Sequence, residues 1–529
     1  MAVTVTHRSK LPMSFFEDGI CRAYKSEPTK AMNIECLMVL DRPIERSVFR
    51  AILLNRGLSY GRMRSRVAVN PRGQHFFEEL DPAEIVDALL HEKTLHDATW
   101  CELQAFLSRE LLKPWRADLP HWEVHIVRGL RRSAELPGDT ALFFRLDHAC
   151  GDGFALKNWL MSMTDEINPN SLKSLWTEST DHLPQLLSQR VPSTAVAKSQ
   201  IPGIKASSLI VWGVLKTVFF QILLMIPAIW IAVVESELDD TVTNIKWDEK
   251  RHTKTMHKEI RISREYTLDS VREVAKSMST PSKRCTVNDI VMGLVAGGLR
   301  GYLEKVEDPA VCSGRSCRLR AIMVTSLREQ IRSNKVEFAN VLTFLPIPLP
   351  VDKPELQGRV RKIKSYIDFL KMSPAPWLIL RLQQVLVFLL GPAALQWKIN
   401  RTQRKQTLCI SNLPGPLTPV SMCGAKISRI GFWVNPSNMP LMLSVLTYAG
   451  SISIMALIDP QVVSDADGLM ESVEKELSAN LSRAPHVLSR PNSNQSMHSQ
   501  CTLSRNGSVS SLCSIPEDRD DHSAHLKTS

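Results

Sequence analysis

Cysteine is scarce in this chain, 11 residues in 529 with no regular spacing, so reduced thiols in the cytosol are expected and a disulfide framework is not. No Walker A loop, no GxSxG elbow and no paired CxxC occurs, which sets aside the nucleotide cradle, the serine-hydrolase elbow and the zinc ribbon. Residues 1–30 hold Lys10, Glu17, Asp18 and Lys25 without a run of about 7–15 apolar residues, so no cleaved secretory signal is expected. No repeat of about 20–50 residues is evident. Acidic residues are the minority, 54 against 65 Lys and Arg, and the resulting +11 favours an anionic partner: nucleic acid, a membrane surface or a phosphorylated ligand. Mean hydropathy is −0.09, far from a polytopic membrane protein. The length leaves room for roughly two to four units with real cores.

The first 200 residues alternate helical and strand patterns. Ile44, Val48 and Ile52, with Phe49 and Leu53 one position along, predict a helix stopping at Gly57. Trp122, Val124 and Ile126 alternate with Glu123, His125 and Val127, as in a strand with one wetter face. Leu142, Phe144 and Leu146 alternate in the same way, and Leu156, Trp159, Leu160 and Met163 return to helical spacing. Residues 141–164 thus read as strand, tight turn, helix.

Residues 168–206 are polar and broken by prolines, the pattern of a linker. In the 26 residues from Leu209 to Val234 only Lys216 and Gln221 are strongly polar, longer than the about 20 needed to cross a bilayer. A weaker apolar segment, 377–397, is interrupted by Arg381, Gln383 and Gln384, and Pro392 would break a helix there. Lys398, Arg401, Arg404 and Lys405 follow it, a basic flank suited to an anionic leaflet. Nine of the 26 residues from Ser489 to Ser514 are Ser, so 486–529 reads as a disordered tail. The organisation expected is an N-terminal α/β subdomain over 1–205, an apolar anchor over 206–242, a C-terminal α/β subdomain over 243–485 and the tail.

Two histidine patterns compete for chemistry. His91-Glu92 with His96 resembles a zinc helix, but five-residue spacing turns the second ring about 140° from the first; a solvated helix is the expectation. The turn His148-Ala149-Cys150-Gly151-Asp152-Gly153 is the stronger candidate. A histidine at the end of a buried strand suits a general base that deprotonates a hydroxyl. Gly151 and Gly153 permit backbone geometry that bulkier residues resist. The plain alternative is a buried histidine beside an N-capping Asp152.

His148-x-x-x-Asp152-Gly153 resembles the HHxxxDG motif of the wax ester synthase/diacylglycerol acyltransferase family, and further landmarks fall in order. Leu119 to Ile126 is similar to the family's "PLWEVHI", Thr286 to Val291 to its "NDV" helix start and Val324 to Arg328 to "PVSLR". Asn340 to Pro350 is similar to "GN…LPLP", and Ser411 to Pro416 to "SNVPGP". Asp147 stands where the family has its first histidine, and Ala339 where it has the glycine of "GN".

The resemblance implies a two-subdomain, chloramphenicol-acetyltransferase-like α/β fold with a tunnel between the halves, entered by acyl-CoA from one end and the acceptor alcohol from the other. His148 would take the alcohol proton as the oxygen attacks the thioester, with no acyl-enzyme, no metal and no cofactor besides acyl-CoA as co-substrate. Asn288 is the implied oxyanion or positioning group, Asp289 a support, Asp152 a structural residue and Arg328 its ion-pair partner; Gly153, Asp147, Ser411 and Asn412 are implied at the substrate. Thr286-x-x-Asp289 is also a capping box, and His125 is expected to be structural.

The implied product is a wax ester, triacylglycerol or both, made on the cytosolic face of the endoplasmic reticulum, with the plasma membrane and the lipid droplet as the alternative sites. The rivals are an acyltransferase for another acceptor and a non-enzymatic lipid-binding or scaffold protein. Nucleic acid is a distant third: Arg315, Arg318, Arg320 and the 359–364 run lack interleaved aromatics and look like a CoA-phosphate, membrane-facing or solvated surface. A single crossing by 209–234 would put His148 and Asn288 on opposite sides of a bilayer, so an in-plane or re-entrant anchor bent near Pro227 is expected, with 377–397 beside it.

Overall fold

Sixteen short strands and twelve helices organise the described part of the computed structural model, which comprises residues 9–26, 32–97, 99–131, 138–166, 223–248, 250–252, 257–281, 283–313, 317–326, 338, 340, 342–436 and 438–482. The linker at 168–206, Arg328, Ala339 and the tail lie outside the described residues. The strands are β1 (Lys10–Pro12), β2 (Asn33–Leu40), β3 (Ser65–Val69), β4 (His75–Glu79), β5 (Leu90–Thr94), β6 (Trp122–Arg128), β7 (Thr140–Asp147), β8 (Glu259–Ile262), β9 (Tyr266–Thr267), β10 (Leu319–Ser326), β11 (Leu342–Leu349), β12 (Leu408–Pro414), β13 (Ser421–Met422), β14 (Ala425–Val434), β15 (Leu441–Tyr448) and β16 (Ser451–Ile458). The helices are α1 (Phe15–Ser26), α2 (Arg46–Asn55), α3 (Pro82–Leu89), α4 (Trp100–Glu110), α5 (Gly153–Met161), α6 (Leu268–Ser277), α7 (Val287–Lys305), α8 (Pro309–Cys312), α9 (Leu356–Met372), α10 (Ala375–Leu390), α11 (Pro392–Lys405) and α12 (Ala466–Asn480).

Two large sheets carry the molecule. The first runs β13-β14-β2-β7-β6-β5, and the second β11-β10-β12-β15-β16-β8, with β9 also on β16; β1, β4 and β3 make a small third sheet. Chain from 421–434 therefore leaves the second half and completes the first sheet beside β2. The described residues between 9 and 482 belong to one compact unit. β2, β7 and β16 are buried at every position, so they read as continuous apolar runs in the manner of strands covered on both faces.

Register sorts the first sheet's side chains. Ile34, Cys36 and Met38 on β2 stand beside Leu146, Phe144 and Leu142 on β7, while Glu35 stands beside Arg145 on the opposite face. On that second face β6 adds Glu123 opposite Arg145 and His125 opposite Phe143, and β5 adds His91 opposite His125. α4 covers this outer face through Phe106, which meets the rings of His125 and Phe143. α5 covers the other, with Trp159 edge-on to Trp122 and Phe144. Two readings change here. His91 lies on a strand and His96 in an exposed loop, so the pair shares no helix. Arg320 and Arg359, read as part of a basic surface, are buried ion-pair partners of Asp240 and Glu476.

α7 is the central helix of the second half. Thr286 and Asp289 form its capping box. Gly298 lets it press against α12, since a Cβ there would lie 2.6 Å from Val473 Cα. Among the described residues no single helix is long and apolar enough to cross a membrane; α9 and α10 reach that length only together and are bent by 62°. α10 ends at Gly391, whose φ of 82° a side chain would resist, and Pro392 opens α11. The described end of the 209–234 segment is helical over 223–229 and turns as a π-helix over Trp230–Val234, three residues beyond Pro227. It buries Ala228 and Ile231 in the second core and exposes Ile226 and Trp230.

Candidate active site

β7 ends at Asp147, and one 3-10 turn, His148–Cys150, delivers the chain to α5. Asp147 organises that turn: Oδ1 accepts from Ala149 N at 2.9 Å, and Oδ2 lies 3.1 Å from His121 Nδ1, itself stacked on Trp115. Its carboxylate is thus committed to the strand side, and Asp147 is not among the residues lining the cavity described below. Asp152 caps α5 by accepting from Ala155 N at 2.9 Å. Neither Gly151 nor Gly153 occupies a conformation reserved for glycine. Space at Gly151 is tight, since a Cβ would come within 3.1 Å of Ala155 Cβ.

His148 is 5% exposed. Its backbone N donates to Met32 O at 2.8 Å, and its Nδ1 lies 3.0 Å from Asn340 Oδ1. Asn340 Nδ2 donates to His148 O at 3.0 Å and to Glu17 Oε1 at 3.4 Å. With the amide nitrogen facing two acceptors, Oδ1 must accept, so Nδ1 carries the hydrogen and Nε2 keeps the lone pair. Glu17, 1% exposed, is held by Arg62 Nη1 at 2.6 Å. Burial pushes the imidazole below its ordinary pKa, outweighing the bond to its own backbone and the Asp152 and Asp147 charges. The ring is therefore neutral at and above pH 7.

His148 opens on a cavity of about 1050 Å³, open solvent at its mouth included, between the two sheets. The first sheet contributes Ile34, Cys36, Met38, Ile430 and Phe432, and the second contributes Ser411, Asn412, Leu413 and Leu446. Asp152, Gly153 and Lys157 line it from the α5 side. Apart from these, Ser411, Asn412, His148 and Ser326, the wall is apolar. Asn288 is not in this wall but stands behind it, its Oδ1 accepting from Asn412 Nδ2 at 3.0 Å. Asp289 serves the cap: its Oδ2 accepts from Thr286 N at 2.8 Å, and its Oδ1 is buried with no hydrogen-bond partner.

Known proteins resemble this chain over most of its length. The family model described as the WS/DGAT C-terminal domain matches residues 338–479. Wax ester synthase/diacylglycerol acyltransferase 5 of Arabidopsis thaliana is 26% identical over 401 residues, 71% of this chain and 74% of that protein. Over that span the chain is similar to the wax ester synthase/diacylglycerol acyltransferases, and the family's C-terminal domain is matched in its second half. Among solved structures, the wax ester synthase/diacylglycerol acyltransferase from Marinobacter aquaeolei VT8 aligns over 88% of this chain and 98% of its own, with TM-score 0.54 and 16% identity. A variant of the starter condensation domain of rhizomide synthetase, solved with C8-CoA, aligns over 90% and 96%, with TM-score 0.51 and 11% identity. The fold is the two-sheet α/β fold that CoA-dependent acyltransferases and condensation domains share.

Several site residues were not legible as such. Asn340 opens a family landmark, yet only folding brings it to His148; Glu17 and Arg62 come from distant elements. Lys157 had a local signal, a cation in the apolar pattern of α5. It is buried, its Nζ lies 4.7 Å from the centre of the Phe154 ring, and burial pushes it down to about 7 against the opposing pull of Asp152.

Proposed function

We propose that this chain is an acyl-CoA-dependent O-acyltransferase that esterifies a long-chain alcohol, diacylglycerol or both. The observation that carries the reading is a buried histidine, locked as the Nε2 base by Asn340, at the wall of an apolar cavity shared by two sheets. The alcohol oxygen attacks the thioester carbonyl carbon while His148 Nε2 takes the hydroxyl proton. The tetrahedral intermediate then expels CoA thiolate, which receives that proton from the imidazolium. Asn412 in the wall, backed by Asn288, is the amide pair assigned to the developing oxyanion, a role worth a few kcal/mol. Asp152 and Asp289 act through the helices they cap.

A membrane surface supplies both lipid substrates in this reading. Ile226, Trp230, Phe388, Leu389, Leu390 and Trp397 are exposed, Phe388 at 87%. Lys398 and Arg401 lie along α11 in the same region of the sequence and share one carboxylate, Glu237, which leaves the pair a net positive charge. Such a face suits a protein lying in the interface of an anionic leaflet. A single crossing between residues 166 and 223 would separate the two walls of the cavity, so the placement proposed is in-plane, on the cytosolic face of the endoplasmic reticulum.

Membranes carrying the protein, given labelled acyl-CoA and either a long-chain alcohol or diacylglycerol, provide the test. Ester formation should fall by about 10²–10⁴-fold in His148→Ala, the range a positioned general base contributes. An unchanged rate would remove His148 as base, and no ester with either acceptor in the wild type would overturn the assignment.

A further inference from the structure

The outer face of the first sheet holds a second histidine centre, remote in register from the cavity face. Parallel pairing sets His91 on β5 opposite His125 on β6, and strand alternation puts Glu123 on the same side. His91 Nε2 lies 3.5 Å from Glu123 Oε2, and His125 Nε2 lies 3.4 Å from Glu123 Oε1. One donor atom from each residue falls within 4.8 Å of the others. An independent observation marks the centre: His125 is 7% exposed, and its Nε2 is fully buried with no hydrogen-bond partner. A buried polar nitrogen aimed at a carboxylate but not bonded to it requires an explanation.

We propose that His91, Glu123 and His125 bind one divalent d-block cation, Zn²⁺ by donor preference, which clips the edge strand β5 to β6. Two imidazoles and a carboxylate are a zinc donor set, and bonds of about 2.0–2.2 Å in a tetrahedron set donors about 3.3–3.6 Å apart. The His91 Nε2 to Glu123 Oε2 separation already falls there, and with every donor within 4.8 Å of the others, side-chain rotations close the rest. Arg145 orients the carboxylate, its Nε and Nη2 donating to Glu123 Oε1 at 2.9 and 2.8 Å, which leaves Oε2 toward His91. Glu110 of α4, salt-bridged to Lys113, has its Oε2 4.0 Å from His125 Nε2 and is placed to supply a fourth ligand or to bond a metal-bound water. Because the centre is on the opposite face from the cavity, its role is to fasten a five-residue edge strand.

The full-length protein, stripped by a chelator and dialysed, is titrated with Co²⁺, followed by its visible absorption, and then with Zn²⁺. The expected result is one Co²⁺ per chain, displaced by Zn²⁺, with Zn²⁺ raising the unfolding temperature. His91→Ala, at a side chain 40% exposed on the sheet edge and so tolerant of truncation, should lose at least tenfold in affinity and the thermal shift. His96→Ala, in the exposed loop, should keep both. No stoichiometric binding, equal affinity in His91→Ala, or an equal loss in His96→Ala would overturn the site.

Discussion

On the cavity face of the first sheet His148 meets an amide, whereas on the outer face His125 and His91 meet the carboxylate of Glu123. The two faces are one side chain apart along each strand, and β2 and β7 are buried on both. Between carboxylates an imidazole is an ion-pair member or a metal ligand. Beside Asn340 it gains direction without gaining a counter-charge, so burial keeps it neutral and basic. The chemical difference lies in the partner, and strand alternation is what keeps the two sets of partners apart.

The largest expected effect concerns one buried ionisable group on each face, since their titrations oppose each other. Lys157, on the cavity side, is pushed from 10.5 down to about 7. Between those values the unfolded chain binds a proton that the folded chain does not, so stability falls as pH drops from 10.5 toward 7, by up to about 4–5 kcal/mol. Glu35, on the outer face, has both oxygens buried without hydrogen-bond partners, and burial holds its pKa well above 4.5 despite Arg145. Here the folded chain keeps the proton, so stability is full below 4.5 and declines as pH rises through the folded value. Urea denaturation across pH separates them: Lys157→Met should flatten the alkaline rise, and Glu35→Gln should remove the decline above 4.5. Identical slopes in a variant and the wild type would mean that group is solvated.

A smaller effect tests the amide itself. Asn340→Asp makes the cavity histidine resemble its outer-face counterparts by placing a carboxylate where Oδ1 stands 3.0 Å from Nδ1. His148 should then hold its proton to higher pH, moving the acidic limb of the rate upward. Asn340→Ala, which only removes the orienting bond, should cost roughly tenfold in kcat. A rate profile unmoved in both variants would make Asn340 a bystander.

Local sequence carried much of this. Alternation located β6 and β7, the turn at 148–153 and α5, because each is set by neighbours within a few residues. Asp152 as a cap and Thr286 with Asp289 as a capping box are likewise short-range facts. What stayed hidden was long-range pairing. Asn340 is 192 residues from His148, Glu17 is 45 from Arg62, and β14 crosses from the second half to join β2. His91 was paired in sequence with His96 through a helix that does not exist; its partner, His125, is reached only across a parallel register. No spacing rule reaches such contacts, because both ends satisfy their local patterns independently.

Asp147 offers the smallest effect and the sharpest question, since it stands where the family motif has a histidine. If its carboxylate belongs to the fold, as its bonds to Ala149 N and His121 indicate, its charge matters to stability and not to rate. Asp147→Asn keeps an oxygen for Ala149 N but weakens the contact with His121, a loss of about 1–2 kcal/mol. Asp147 is also the weakest of the charges that raise the His148 pKa, so removing it leaves the base neutral at pH 7.5. Measured together, the urea midpoint should fall while kcat per folded molecule stays within about twofold, a change near the 0.4 kcal/mol that such a ratio represents. A tenfold loss of kcat with an unmoved midpoint would bring Asp147 to the reacting atoms, on the cavity side of the sheet.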